Sequence, residues 1–189
     1  MASLMIHQIV GEEYCKIHRV DDEHSFLAGN LAPDLTDDKS ISHFSKKRIG
    51  NKTYTESIQN KLNLPAFCEK VGIDNDFSRG VFLHLLTDHI FFVEYLLNLK
   101  EYQDIEHLNQ LTIRDILYRD YHRINKWIMN SHPNIMLEKL PEDAKTTRDD
   151  QTEVLAIDDI RRLIKICANL DLDRSYNYFL PEKASSKEA

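Results

Sequence analysis

Apolar residues recur at helical spacing along most of this chain, and neither strand pairs nor an internal repeat emerges from the pattern. Between residues 3 and about 19, Leu4, Ile6, Ile9, Val10, Tyr14 and Ile17 fall on one face, with Ser3 placed as a helix N-cap. Leu64-Pro65 opens a short helix to Val71, with Pro65 at its first position and Gly72 just beyond its end. The stretch Gly80–Leu97 is apolar on every side and free of proline, which predicts a buried helix over about 78–97. Asp74 or Asp76 would cap it, and it should fade near Asn98. Ile113 to about Met129 predicts another helix, with Ile116, Leu117, Tyr121, Ile124, Trp127 and Ile128 inward. Val154 to Leu170 predicts an amphipathic helix whose early Asp158 and Asp159 and later Arg161, Arg162 and Lys165 suit the helix dipole.

The connections read differently. Pro33 biases Ala32 away from the α region, so the apolar turn from Phe26 should stop before Asp34 and aim its carboxylate from a rigid corner. Residues 37–44 read as an irregular loop and 45–60 as a long polar surface loop. Residues 142–153 read as a charged, mobile segment. The pattern predicts an all-α fold: a single-domain helical bundle around a central buried helix, spanning residues 1–180, with a disordered tail at 181–189.

Composition narrows the partners. The chain has 189 residues, 42% hydrophobic and 29% charged, which suits one soluble domain with a substantial core. Thirty-one acidic against 24 basic residues give a formal charge of -7, which opposes non-specific binding to nucleic acid or anionic membranes. Aromatic and basic residues are not interleaved, so single strands find little to stack on. Residues Met1 to Val10 lack a basic n-region, and no apolar window of 18 residues is free of charge or histidine. Neither a signal peptide nor a membrane span is therefore expected. Cys15, Cys68 and Cys167 are odd in number and far apart, which predicts reduced thiols in a cytoplasmic protein.

The candidate chemistry lies in a few polar residues. His84 and Asp88 sit four residues apart on one face of the otherwise apolar helix. Buried polar groups are costly without partners, so the pair serves either each other or a metal ion. His7 lies beside the apolar face of the first helix, where a lone histidine is more often a hydrogen-bonded core residue than a ligand. Asp34 follows proline, either as a turn-capping acid or as a ligand from a corner, and His43 stands in a loop next to Phe44. Neutral imidazoles with carboxylates suit a borderline divalent cation such as Zn²⁺, and His7, Asp34 and His43 would complete a shell begun by His84 and Asp88. Lys46, Lys47 and Arg48 would either attract a phosphate or form ordinary solvated surface.

Four of these pieces, in order, resemble the zinc-dependent phospholipase C family: His7-x-x-Val10, Phe26-Leu-Ala-Gly-Asn-Leu-Ala-Pro-Asp34, Ser42-His43-Phe44, and Gly80-x-x-x-His84-Leu-Leu-Thr-Asp88-His89. The resemblance covers residues 5 to 95, and the family is all-helical and shares its fold with a group of single-strand nucleases. It implies a first zinc at Asp34, His43, His84 and Asp88, and a second ion bridged by Asp88 and bound by His7. One or two Zn²⁺ ions, or other divalent cations, are thus expected.

The family's aromatic N-terminal amine has no equivalent in Met1-Ala2-Ser3, and its histidine six residues beyond the bridging aspartate is Glu94 here. A His-x-x-x-Glu pair is absent, which leaves His122, with Asp120 beside it, as the remaining candidate. Metals in such a site bind phosphoryl oxygens and activate water. Asp34 would be the catalytic residue, steering that water. The expected function is a metal-dependent, phospholipase C-like hydrolase of a small phosphate-containing substrate. The alternative is a catalytically inactive metal-binding helical protein that works by interaction or sensing.

Overall fold

The computed structural model describes residues 3–45, 53–60, 62–132 and 153–180, and every regular element among them is helical. Helix α1 (Leu4–Ile17) begins where expected, its Ser3 side chain accepting the Ile6 amide. Helix α2 (Glu23–Leu31) is capped by Asp22 and runs on into a 3-10 turn, Ala32–Asp34. Ala32 stays helical at φ -51° and ψ -41°, contrary to the bias expected from Pro33. The chain accommodates the proline by tightening to an i to i+3 pattern, with the Leu35 amide donating to the Ala32 carbonyl at 3.1 Å.

Two stretches expected as loops contain helix. Asp38 caps a single turn, α3 (Lys39–Ser42), inside the 37–44 segment. Thr53 and Glu56 form a reciprocal capping box that starts α4 (Tyr54–Gln59). A local cap, rather than hydrophobic periodicity, makes each of these short helices. Lys46, Lys47 and Arg48 lie outside the described residues, as do 142–152 and the tail 181–189.

Helix α5 (Leu64–Lys70) has Pro65 in its first turn and Asn63 as its cap. The central helix, α6 (Asp76–His89), is capped by Asn75 rather than Asp74 or Asp76, with Ser78 answering in the reciprocal half of a capping box. The run then widens to π-helical winding over Ile90–Tyr95 and tightens to a 3-10 turn at Leu96–Asn98. Helices α7 (Lys100–Gln103), α8 (Gln110–Ser131) and α9 (Ile157–Ala168) follow. A last helix, α10 (Leu172–Phe179), has no counterpart in the predicted set.

The core forms around α6, whose Phe82, Leu83, Leu85 and Leu86 are buried and whose π-helical extension buries Phe91 and Phe92. By length and composition alone the run Asp76–Asn98 is apolar enough to cross a membrane, although it carries His84, Asp88, His89 and Glu94. Most of that run is buried inside this fold, together with the fully buried His84 and Asp88, so it serves as the core helix of the bundle.

Helix α2 packs most extensively on α6. Two glycines set that distance: a Cβ on Gly80 would stand 2.0 Å from the Phe26 carbonyl oxygen, and one on Gly29 would stand 2.0 Å from that of Phe77. Only glycine lets the backbones approach this closely. That approach brings the end of α2 against the middle of α6, where the polar residues gather.

Elsewhere in the core, buried Asp120 on α8 accepts the amides of Val154 and Leu155 at 2.8 and 3.0 Å. Arg123 donates to the Leu155 carbonyl and pairs with Glu153 at 3.0 Å. The chain entering α9 is thereby tied to α8.

Candidate metal centre

Four elements each deliver part of one polar cluster. Helix α1 supplies His7, the turn after α2 supplies Asp34, the end of α3 supplies His43, and α6 supplies His84 and Asp88. Phe44 takes a left-handed φ of 53°, uncommon without glycine, as it turns the chain away after His43. Its ring meets Phe67 edge-on at 5.5 Å, which anchors that turn in the core.

The His7 and His84 rings stack at 3.7 Å between centroids and 16° between planes. His7 Nε2 lies 3.3 Å from Asp88 Oδ1, yet neither ring nitrogen of His7 completes a hydrogen bond among the described residues. The other Asp88 oxygen faces His43 Nε2 at 3.5 Å and His84 Nε2 at 4.0 Å. Asp34 Oδ1 lies 3.8 Å from His43 Nε2 and 3.2 Å from the Lys39 ammonium. Ligand atoms of His7, Asp34 and His84 lie within 4.8 Å of one another, and so do those of His43, His84 and Asp88.

Backbone carbonyls fix two of the tautomers. His84 Nδ1 donates to the Asn30 carbonyl at 2.8 Å, and His43 Nδ1 donates to the Lys39 carbonyl at 2.9 Å. Each ring is left with its lone pair on Nε2, and these two Nε2 atoms face each other at 3.1 Å. Lone pairs that close repel unless a proton or a cation stands between them. A metal-binding histidine typically gives its second N–H to a carbonyl in this way, so the residues present fit a cation.

The charges agree with that fit. Burial holds His84 well below the ordinary histidine value of 6.5, helped by the neighbouring His7 and opposed by Asp88. Its imidazole is therefore neutral and able to donate a lone pair. Burial alone would raise the Asp88 carboxyl, but His43 and His7, wherever their Nε2 atoms carry a proton toward its oxygens, more than offset this and hold it well below 3.8. A neutral His84 imidazole beside an ionised Asp88 carboxylate is the donor chemistry that a borderline divalent cation takes.

No protein family, curated protein or solved structure matches the chain.

Of the seven side chains expected at the site, five come together. Glu94 does not: its exposed carboxylate faces His89 Nε2 at 3.7 Å and belongs to neither donor group. Six residues make neither one nor two whole turns of helix, so Glu94 leaves the Asp88 face. His122 is half-buried on α8 and also stands outside both groups. Asp120, expected beside it, is committed to the Val154 and Leu155 amides.

Two contributors escaped the sequence reading. Asn30 holds His84 through its carbonyl and donates its side-chain amide to the His7 carbonyl at 2.6 Å, joining α1, α2 and α6 at one residue. An amide side chain on the buried face of a short helix was the available signal. Lys39 holds His43 and reaches Asp34, but a lysine in a polar loop carries no distinguishing mark in a sequence.

Proposed function

We propose that His7, Asp34, His43, His84 and Asp88 hold one or two divalent cations, Zn²⁺ in first place, and that the protein is a metal-dependent hydrolase of phosphoesters. The reading is carried by His43 and His84, whose Nε2 atoms oppose each other at 3.1 Å with both Nδ1 atoms already donated to backbone carbonyls. The resemblance of the same residues to the zinc-dependent phospholipase C family supports it from the sequence.

A divalent cation held here would polarise a phosphoryl oxygen and lower the pKa of a water molecule. The chain's own residues do the rest. Asn30 and Lys39 keep two imidazoles in the metal-ready tautomer, which leaves less reorganisation for binding. Burial of His7, His84 and Asp88 excludes bulk water and strengthens every charge interaction inside. Asp34 lies on the more open side and accepts a hydrogen bond from the attacking water, which it thereby orients. The -7 charge favours a small substrate over nucleic acid.

A second reading, a helical protein that holds metal without turnover, is favoured by Glu94 and His122 standing outside the cluster. Loading with Zn²⁺ and assaying a panel of phosphate mono- and diesters separates the two. Hydrolysis that disappears in His84→Ala supports the hydrolase. Full metal occupancy without turnover across the panel supports the second reading.

A further inference from the structure

We propose that Lys39 is the residue that selects an anionic ligand at this centre, a phosphate-type oxyanion, an inference that rests on the metal reading above. The exposure of the cluster shows which way it opens. The side chains of His7, His84, Asp88 and His43 are 0 to 2% exposed, Asp34 is 6% exposed and Lys39 is 45% exposed. Among these residues Lys39 and Asp34 are the most exposed, so the lysine lies on the solvent side of the cluster.

Lys39 is also tied to the cluster twice. Its carbonyl accepts from His43 Nδ1 at 2.9 Å, which fixes its backbone relative to that imidazole. Its ammonium lies 3.2 Å from Asp34 Oδ1, where it stands in for a cation beside a nearly buried carboxylate. A metal ion held by Asp34 would repel this ammonium. The flexible four-carbon stem lets it swing toward solvent while remaining at the opening. Two positive centres then face the entering ligand, in a chain whose formal charge of -7 otherwise repels anions. Lysine binds phosphate as a point charge, without the planar fork that would fix one orientation. Free phosphate and a phosphoester present the same oxygens to such a pair of charges.

The test uses the full chain loaded with Zn²⁺, with metal content measured first and binding followed by calorimetry. Inorganic phosphate probes the free anion, and dimethyl phosphate probes the esterified one. Lys39→Met is expected to weaken binding of whichever anion the wild type takes by about tenfold or more, and Lys39→Arg to restore most of it. Metal content stays at the wild-type level in both variants. Equal anion affinity in wild type and Lys39→Met, at equal metal content, overturns the role of Lys39 and leaves the metal centre standing. Neither anion binding to the loaded wild type has the same consequence. Metal lost from Lys39→Met shows that the lysine supports the ligands instead, which also overturns the proposal. Failure of the wild type to take up Zn²⁺ removes the centre itself.

Discussion

His43 and His84 meet Nε2 to Nε2 at 3.1 Å, each ring pinned from behind by a backbone carbonyl. Neither ring can turn its N–H toward the other without abandoning that carbonyl. The fold therefore holds two ring nitrogens at a distance that only a proton or a cation between them reconciles. Zn²⁺ binding to the folded state stabilises it by mass action, about 2.7 kcal/mol at a free concentration a hundredfold above Kd. For a chain of this length that raises the melting temperature by roughly 5–11 °C. A chelator should reverse the rise, and His43→Ala should abolish it. Thermal scans with and without Zn²⁺ check both.

Acid should weaken the protein in two stages. The folded pKa of His84 lies below its ordinary 6.5, so below that pH the unfolded chain takes up a proton that the folded chain refuses. Asp88 lies below its ordinary 3.8, so a second loss begins there. Both contributions are fully present above 6.5 and decline as pH falls. Urea midpoints of the metal-free protein should drop between about pH 7.5 and 5. In His84→Gln that part of the slope should flatten.

Gly80→Ala tests whether the helix crossing places the ligands. The new Cβ would meet the Phe26 carbonyl oxygen at 2.0 Å, and two backbones cannot yield as a flexible side chain would. The helices must part, at a cost of about 1–3 kcal/mol or more. The Asn30 carbonyl then moves from His84 Nδ1. We expect a lower urea midpoint together with weaker metal binding, although no ligand has changed.

Asp120→Ala provides the contrast. It leaves the Val154 and Leu155 amides without their acceptor at a buried position, at about 1–3 kcal/mol for each group left unsatisfied. Because this contact lies outside the cluster, stability should fall in urea while metal content in the folded protein stays unchanged.

Long-range convergence was legible where polar residues interrupted a strong hydrophobic pattern. His84 and Asp88 stand out in α6 because everything around them is apolar, and His7 borders the apolar face of α1. Asp34 and His43 gained their meaning from the order of the motifs that hold them rather than from periodicity. Elements made by local caps were not legible in the same way: Thr53 with Glu56 and Asp38 with Ser40 start helices too short to show an apolar face. Asp74 and Asp76 flank Asn75 and are equally able to cap by residue type, and only the geometry of the Ser78 amide decides among the three. Asn30 and Lys39 act largely through backbone carbonyls, which every residue has, so their identity as supports could not be read from residue type alone.

The most direct measurement is the metal content of the purified protein after Zn²⁺ loading and removal of excess ion, compared with His43→Ala treated identically. We predict at least one Zn²⁺ per wild-type chain, and its loss in the variant while circular dichroism stays helical. A wild-type chain that retains no metal, or a His43→Ala chain that retains as much as wild type, contradicts the assignment of this cluster as a metal centre.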